Sequence, residues 1–332
     1  MKWISILLIS SAITVVRGIE DTELCTALNN GADAKLFLCI MDQDSKPVQN
    51  AHVNAIFLCG HSNGGYQEVN ANTDADGICV VKGKCTGVLK WMVSKEGYYN
   101  SSGKWNLFAT LDKNKVRKGK WQPYGERKTI LINKVKRPDC LQIPNLDRGR
   151  LAIPEFNKWL AIDFGVMDWL PPFGCGKFSD AMVFCRKEIK KRRSDFEFEM
   201  IVSFTNNPYA GCYRGIKDRF SDFPWVHEVN TNEVFSSIYC YRLRRRNGGG
   251  VENNEITDNE YLIFRTRTTT NETGCLKTAH YGVISGPFRM GRGNIYIGDA
   301  CFNPVPNDTN IEDGYYLRKR VREREKWQKE EK

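Results

Sequence analysis

Asp163, Asp168 and Asp180 lie among Trp159, Trp169 and Phe173. Of the residue sets in this chain, this one comes nearest to acid–base chemistry on a sugar. Such chemistry needs two carboxyls about 5–9.5 Å apart, beside aromatic faces against which a ring can rest. The same residues also read as turn aspartates beside core aromatics, with nothing in the pattern to set one carboxyl's pKa against the other. Asn72-Thr73-Asp74-Ala75-Asp76-Gly77 resembles the first half of a calcium loop. The bidentate Glu required at the twelfth position is Gly83, so the run reads as a turn. His52, His61, His227 and His280 are scattered and form no zinc-hydrolase motif, and no nucleophile elbow is present. No metal or cofactor is expected.

The twelve cysteines carry a different chemistry. Cys25, Cys39, Cys59, Cys79, Cys85 and Cys140 fall in the first half. Cys175, Cys185, Cys212, Cys240, Cys275 and Cys301 fall in the second. No Cys-x-x-Cys occurs, which argues against a zinc ribbon or a thioredoxin-type site. Residues 4–16 are apolar behind Lys2, with Val16 and Gly18 suited to a signal-peptidase site. Residues 1–18 are therefore expected to be a signal peptide, too short to span a bilayer. The mature chain is expected to be secreted, extracellular or periplasmic, and its thiols to pair as disulfides within each half. Six cysteines allow 15 connectivities, so no pairing is assigned.

The formal charge is +10, and it falls to +8 when the leader takes Lys2 and Arg17 with it. The excess is clustered. Lys190, Lys191, Arg192 and Arg193 form one group and Arg244, Arg245 and Arg246 another. Both are expected on hairpin loops, where they would bind a polyanion through long-range attraction. Solvated loops without a partner account for the same residues. A secreted chain lacking a recognisable nucleic-acid module is a poor nucleic-acid binder. Eight tryptophans and thirteen tyrosines suit sugar or protein contacts as well as a core. Asn100-Ser101-Ser102, Asn271-Glu272-Thr273 and Asn307-Asp308-Thr309 are N-glycosylation sequons.

Elements must place these residues. Strands are expected at 35–40, 51–59, 78–81, 88–94 and 130–135, separated by turns at 42–47 and 73–77. The second half repeats the pattern at 196–204, 236–243, 261–268 and 295–297. Phe196, Phe198, Met200, Val202 and Phe204 face inward there, with Glu197 and Glu199 opposite. Asn247-Gly248-Gly249-Gly250 is expected to open a mobile loop to about Asn259. The layout is a first domain over 19–137, a proline-bearing linker over 138–154, a β-rich domain over 155–312 and a charged helical or disordered tail over 313–332. The fold class is all-β, with two disulfide-stapled domains, the first an antiparallel sandwich with Val48, Val53, Ile56, Val80, Val93 and Ile130 inward.

Asp42-Gln43-Asp44-Ser45-Lys46-Pro47-Val48, Ala51-His52-Val53, Thr73-Asp74-Ala75-Asp76-Gly77 and Gly97-Tyr98 follow one another in residues 35–135. On these residues the segment resembles the carboxypeptidase regulatory-like, or transthyretin-like, β-sandwich family. Ser45 replaces the family's turn glycine, which implies altered turn geometry. The resemblance implies a fold and no activity, because the module accompanies unrelated proteins. Residues 155–332 carry no family pattern. The leading expectation is a secreted, non-catalytic binding or structural protein that contacts extracellular glycan, polyanion or another protein. The alternative is a secreted glycan-processing hydrolase with its site in the second domain.

Overall fold

The computed structural model of the protein describes residues 23–59, 65–107, 115–138, 150–189, 196–204, 208–246, 249–291 and 293–314. The expected leader, His61, Cys140, Lys190 to Arg193 and nearly all of the expected tail lie outside these residues. The chain divides into two units, Met1–Val135 with Phe220–Asp222, and Lys136–Arg219 with Phe223–Lys332.

The first unit opens with helix α1 (Glu23–Asn30), whose Leu24 and Ala27 pack inward. Nine strands follow: β1 (Ala32–Asp42), β2 (His52–Leu58), β3 (Tyr66–Asn72), β4 (Ile78–Cys85), β5 (Val88–Ser94), β6 (Ser101–Asn106), β7 (Val116–Arg117), β8 (Lys120–Trp121) and β9 (Glu126–Ile132). One sheet runs β4-β1-β8-β7, with β9 also on β1, and the other runs β3-β2-β5-β6. Period-two alternation turns Leu36, Leu38 and Ile40 of β1 inward. Val53, Ala55 and Phe57 of β2 and Leu89, Trp91 and Val93 of β5 do the same, and all join one core with Ile130 and Ile132. The result is a β-sandwich.

Two turns fix the register. Asp42 accepts the Asp44 and Lys46 N–H groups at 2.9 Å each and pairs with Lys134 at 2.8 Å. Ser45 sits at φ +59, the left-handed conformation that glycine adopts most readily. Asp74 accepts the Asp76 and Ile78 N–H groups, and Gly77 sits at φ +70. The calcium-like run is thus a turn whose first carboxylate is committed to backbone. Buried Thr73 donates to the Val48 carbonyl at 2.6 Å and accepts from Ala51 N–H at 2.8 Å. Phe220–Asp222 lies along β6: Ser102 N–H donates to the Phe220 carbonyl at 2.7 Å and Asp222 N–H to the Asn100 carbonyl at 2.9 Å.

Three details differ from expectation. β9 runs parallel to β1, from Leu36 opposite Glu126 to Asp42 opposite Ile132, so the sandwich is not wholly antiparallel. The chain reaches β9 by crossing from the other sheet through β7 and β8, and a crossover delivers a strand in the same direction as its neighbour. Val80 is 40 % exposed and Ile56 half-buried. Both lie one residue off the inward register, and a one-residue offset flips a side chain to the opposite face. Finally, no disulfide joins any two of the eleven described cysteines. Cys79, Cys85, Cys185, Cys212 and Cys301 are buried in the cores as small apolar side chains. Burial pushes the Cys79 and Cys85 thiols up to about 11 and those of Cys185 and Cys212 up to about 12.

The second unit contains β10 (Arg150–Ala152), β11 (Trp159–Asp163), β12 (Asp168–Trp169), β13 (Ala181–Ile189), β14 (Phe196–Ser203), β15 (Gly211–Ile216), β16 (Ile238–Arg246), β17 (Gly249–Asn254), β18 (Glu260–Thr270), β19 (Leu276–Ser285), β20 (Arg289–Met290), β21 (Asn294–Tyr296) and β22 (Ala300–Phe302). Its sheets run β12-β11-β13-β14-β16-β17, β15-β18-β19-β22 and β10-β21-β20. They enclose a core that includes Ile162, Phe164, Met200, Tyr239, Phe264 and Phe302. Gly249 and Gly250, expected in a mobile loop, belong to β17 and pair with Arg246 and Arg245. No helix among the described residues is long and apolar enough to cross a membrane.

Candidate functional site

Strands β13, β14, β16 and β17 lie side by side, and their register aligns charged residues across the sheet. Arg186 opposes Glu199, Glu199 opposes Arg242, and Arg242 opposes Asn253. In the next row Glu188 opposes Glu197 and Glu197 opposes Arg244. Alternation puts Tyr239 and Tyr241 in the core and leaves Cys240, Arg242 and Arg244 on the outer face.

On that face the carboxylates are clasped by guanidinium groups. Glu199 accepts from Arg242 Nε at 3.1 Å and also from its Nη2, and pairs with Arg186 Nε at 3.3 Å. Glu197 accepts from Arg244 Nε at 3.2 Å and Nη2 at 3.0 Å. A guanidinium fork matches a carboxylate in this two-point manner. Arg244 is therefore a strand residue paired with Glu197, not a hairpin-loop cation. Arg245 and Arg246 also lie in β16, and their side chains are outside the described set. Lys190, Lys191, Arg192 and Arg193 fall between β13 and β14, outside the described residues.

Beside this ladder is an open pocket of about 370 Å³ lined by Glu199, Cys240, Tyr241, Arg242, Asn253, Asn254 and Glu255. Asn254 is held by the Tyr239 hydroxyl and donates to the Phe288 carbonyl at 3.2 Å. Burial and the nearby Glu255 and Glu199 charges push the Cys240 thiol up against the pull of Arg242. The thiol stays protonated at neutral pH and is a weak nucleophile. The pocket offers guanidinium, amide and carboxylate groups together, a set that hydrogen-bonds hydroxyls as donor and as acceptor.

The aspartates singled out in the sequence have another arrangement. Asp163 accepts from Gly165, Lys177 and Phe178 N–H groups at 2.8–3.1 Å and from Arg267 Nη2 at 2.7 Å. Asp180 accepts from Phe164 N–H at 2.7 Å, the Thr266 hydroxyl at 3.0 Å and Arg267 at two atoms. The Arg267 guanidinium lies 4.1 Å from the Phe178 ring centre and 4.3 Å from that of Phe302. Burial would raise the Asp168 carboxyl, but hydrogen bonds from the Cys175 N–H, the Cys175 thiol and Trp169 N–H hold it below the ordinary value. These carboxylates are buried or committed, and they tie loops together. Arg267 itself sits at φ +48 where the β18–β19 register shifts. No local signal marks it, because its partners lie 87 and 104 residues away in sequence.

Of the described histidines, His52 faces Asn72, His227 packs at a tilt against Phe223, and His280 stacks on Phe302 with its pKa pushed down by burial. Among the described residues no group of three or more His, Cys, Asp or Glu side chains converges as a metal site.

No protein-family model matches the sequence, and no curated protein matches it. Among solved structures the chain is similar to β-rich proteins. For 3-chlorocatechol 1,2-dioxygenase from Rhodococcus opacus the identity is 14 %, with 32 % of this chain and 62 % of that chain covered at a TM-score of 0.24. For catechol 1,2-dioxygenase from Acinetobacter radioresistens it is 12 %, covering 34 % and 55 % at 0.25. For the shaft pilin spaA from Lactobacillus rhamnosus GG it is 9 %, covering 80 % and 97 % at 0.22. The chain thus spans only 55–62 % of these dioxygenases. At such TM-scores the likenesses carry no functional argument. What the fold defines is an all-β protein whose first unit is a β-sandwich.

Proposed function

We propose that the protein is a secreted, non-catalytic binding module whose target is an extracellular glycan, bound at the pocket on the β14–β16–β17 face. The observation that carries this reading is the mixed polar lining of that pocket. Donors and acceptors at one open site suit a polyol, whose hydroxyls act as both. The described part of the face also favours a neutral glycan over a polyanion. Arg186 and Arg242 are matched there by Glu199, and Arg244 by Glu197. The turns at Asp42–Pro47 and Thr73–Gly77 further support reading the first unit as a carboxypeptidase regulatory-like sandwich.

The test is a glycan array with the mature protein, alongside Asn253→Ala and Glu255→Ala. The expected result is selective binding that survives high salt and is lost in both variants. Binding that both variants retain, or an array without signal, overturns the reading. Steep loss of binding with salt, abolished by changing Lys190, Lys191, Arg192 and Arg193 to Ser, would instead identify a polyanion binder.

One observation favours a second reading, glycan hydrolysis: Glu199 and Glu255 are two carboxylates on one pocket. Turnover of an oligosaccharide that Glu255→Gln abolishes would establish it.

A further inference from the structure

We propose that Asn271 is a site of N-linked glycosylation, and that Asn100 and Asn307 are not. The proposal rests on the secretory reading above, since the transfer takes place in that compartment. The sequence presents three sequons on equal terms; the fold separates them.

Asn271 is exposed at the tip of the β18–β19 hairpin, and Glu272, Thr273, Gly274 and Cys275 around it are exposed too. Its Oδ1 accepts from Thr273 N–H at 3.1 Å, Thr273 Oγ1 at 2.8 Å and Cys275 N–H at 2.8 Å. All three bonds fall on the oxygen. The Nδ2 amide makes no hydrogen bond among the described residues, and the side chain that bears it is exposed. Holding the oxygen in this way fixes the amide plane and brings the sequon hydroxyl against the acceptor side chain.

The other two asparagines are placed differently. Asn307 is exposed as well, but it sits at φ +61 with its Oδ1 accepting from Ala279 N–H at 2.9 Å and its Nδ2 donating to the Lys277 carbonyl at 3.2 Å. Both ends of that amide are docked on β19. Asn100 is half-buried between fully buried Tyr99 and Ser101, with its Oδ1 buried and unbonded and its carbonyl accepting from Asp222 N–H. A sugar at Asn100 would have to lift the Tyr99–Ser101 stretch out of the sandwich. Folded chains carrying a glycan are therefore those that carry it at Asn271.

The step is a group transfer. Nδ2 of Asn271 attacks the anomeric carbon of an oligosaccharide linked to a lipid diphosphate, and a C–N bond forms as the C–O bond to the diphosphate breaks. The lipid diphosphate leaves with the bonding pair, and the Nδ2 proton passes to a base of the transferase. The hairpin then carries a bulky, hydrated group.

The experiment expresses the full chain in a eukaryotic secretory cell, once behind its own residues 1–18 and once behind a heterologous leader in their place. Lysate and medium are both read by amidase deglycosylation and by peptide mapping of the resulting Asn→Asp conversion. The expected result is one glycan, at Asn271. It is lost in Asn271→Gln and in Thr273→Ala, restored in Thr273→Ser, and kept in Asn100→Gln and Asn307→Gln. An unmodified Asn271 behind the heterologous leader, or a glycan at Asn100 or Asn307, overturns the proposal. Modification behind the heterologous leader but not behind the native residues leaves the site standing and overturns the secretory reading instead.

Discussion

Arg267 holds Asp180 through two hydrogen bonds, Nε to Oδ1 and Nη2 to Oδ2, each 2.9 Å long. Asp180 is fully buried, and burial pushes its carboxyl above the ordinary value even against the pull of Arg267. Arg267→Ala would strand this carboxylate and Asp163 together. Breaking a buried pair from one side costs about 3–5 kcal/mol. Arg267→Lys should recover only part of the loss, because an ammonium lacks the planar fork that reaches both carboxylates. Urea denaturation of the three proteins checks this. A loss under about 1 kcal/mol in Arg267→Ala would mean that the backbone donors suffice for both aspartates.

The turn at Ser45 offers a gain in stability. A non-glycine residue held at φ +59 carries a cost of about 1 kcal/mol that glycine avoids. Ser45→Gly should therefore raise the melting temperature. Gly77→Ala should do the opposite: at φ +70 its Cβ would come 2.6 Å from the Ile40 carbonyl oxygen and 3.0 Å from Val48 N. Thermal melts of the two variants should shift in opposite directions. Equal or like-signed shifts would contradict the turn geometry.

Val53 and Val80 separate the two faces of the sandwich. Val53 is fully buried and Val80 is 40 % exposed. Val53→Asp places an unpaired carboxylate in the core, at a cost of several kcal/mol, and should abolish cooperative unfolding of the first unit. Val80→Asp should change stability by no more than about 0.5 kcal/mol. Circular dichroism melts distinguish them, and an unfolded Val80→Asp would reverse the assignment of faces.

Asp42 should make the first unit sensitive to acid. Burial alone would raise its carboxyl, but the Lys134 side chain and the Lys46 and Asp44 N–H groups outweigh burial and hold it below its ordinary 3.8. The folded value lies under the unfolded one, so the stabilisation is complete above the unfolded value. It is lost as pH falls from about 4 through the folded value. Melting temperatures measured from pH 6 to pH 2 should drop below about pH 4 in the wild type. The drop should be smaller in Asp42→Asn, and parallel curves would show that Asp42 does not contribute.

The alternation of Val53 and Val93 about polar residues, the turn chemistry of Asp42–Pro47 and Thr73–Gly77, and the inward row Phe198, Met200 and Val202 were all legible in the amino-acid sequence. Each depends on neighbours a few residues away, where side-chain period and local hydrogen bonding decide the geometry. Val80 and Ile56 were misplaced because a run of consecutive apolar residues does not state which of its two faces is buried. The cysteine count suggested bridges, yet pairing depends on distances between strands that no spacing encodes. The pocket at Cys240 and Glu255, the pairing of Arg244 with Glu197 and the Arg267 centre arise from strand register across the sheets. Arg244 meets Glu197 from 47 positions away and Arg267 meets Asp163 from 104. Sequons and charges are written in the chain, but which exposed asparagine keeps its amide nitrogen unbonded and which arginine is neutralised is decided only when the strands pair.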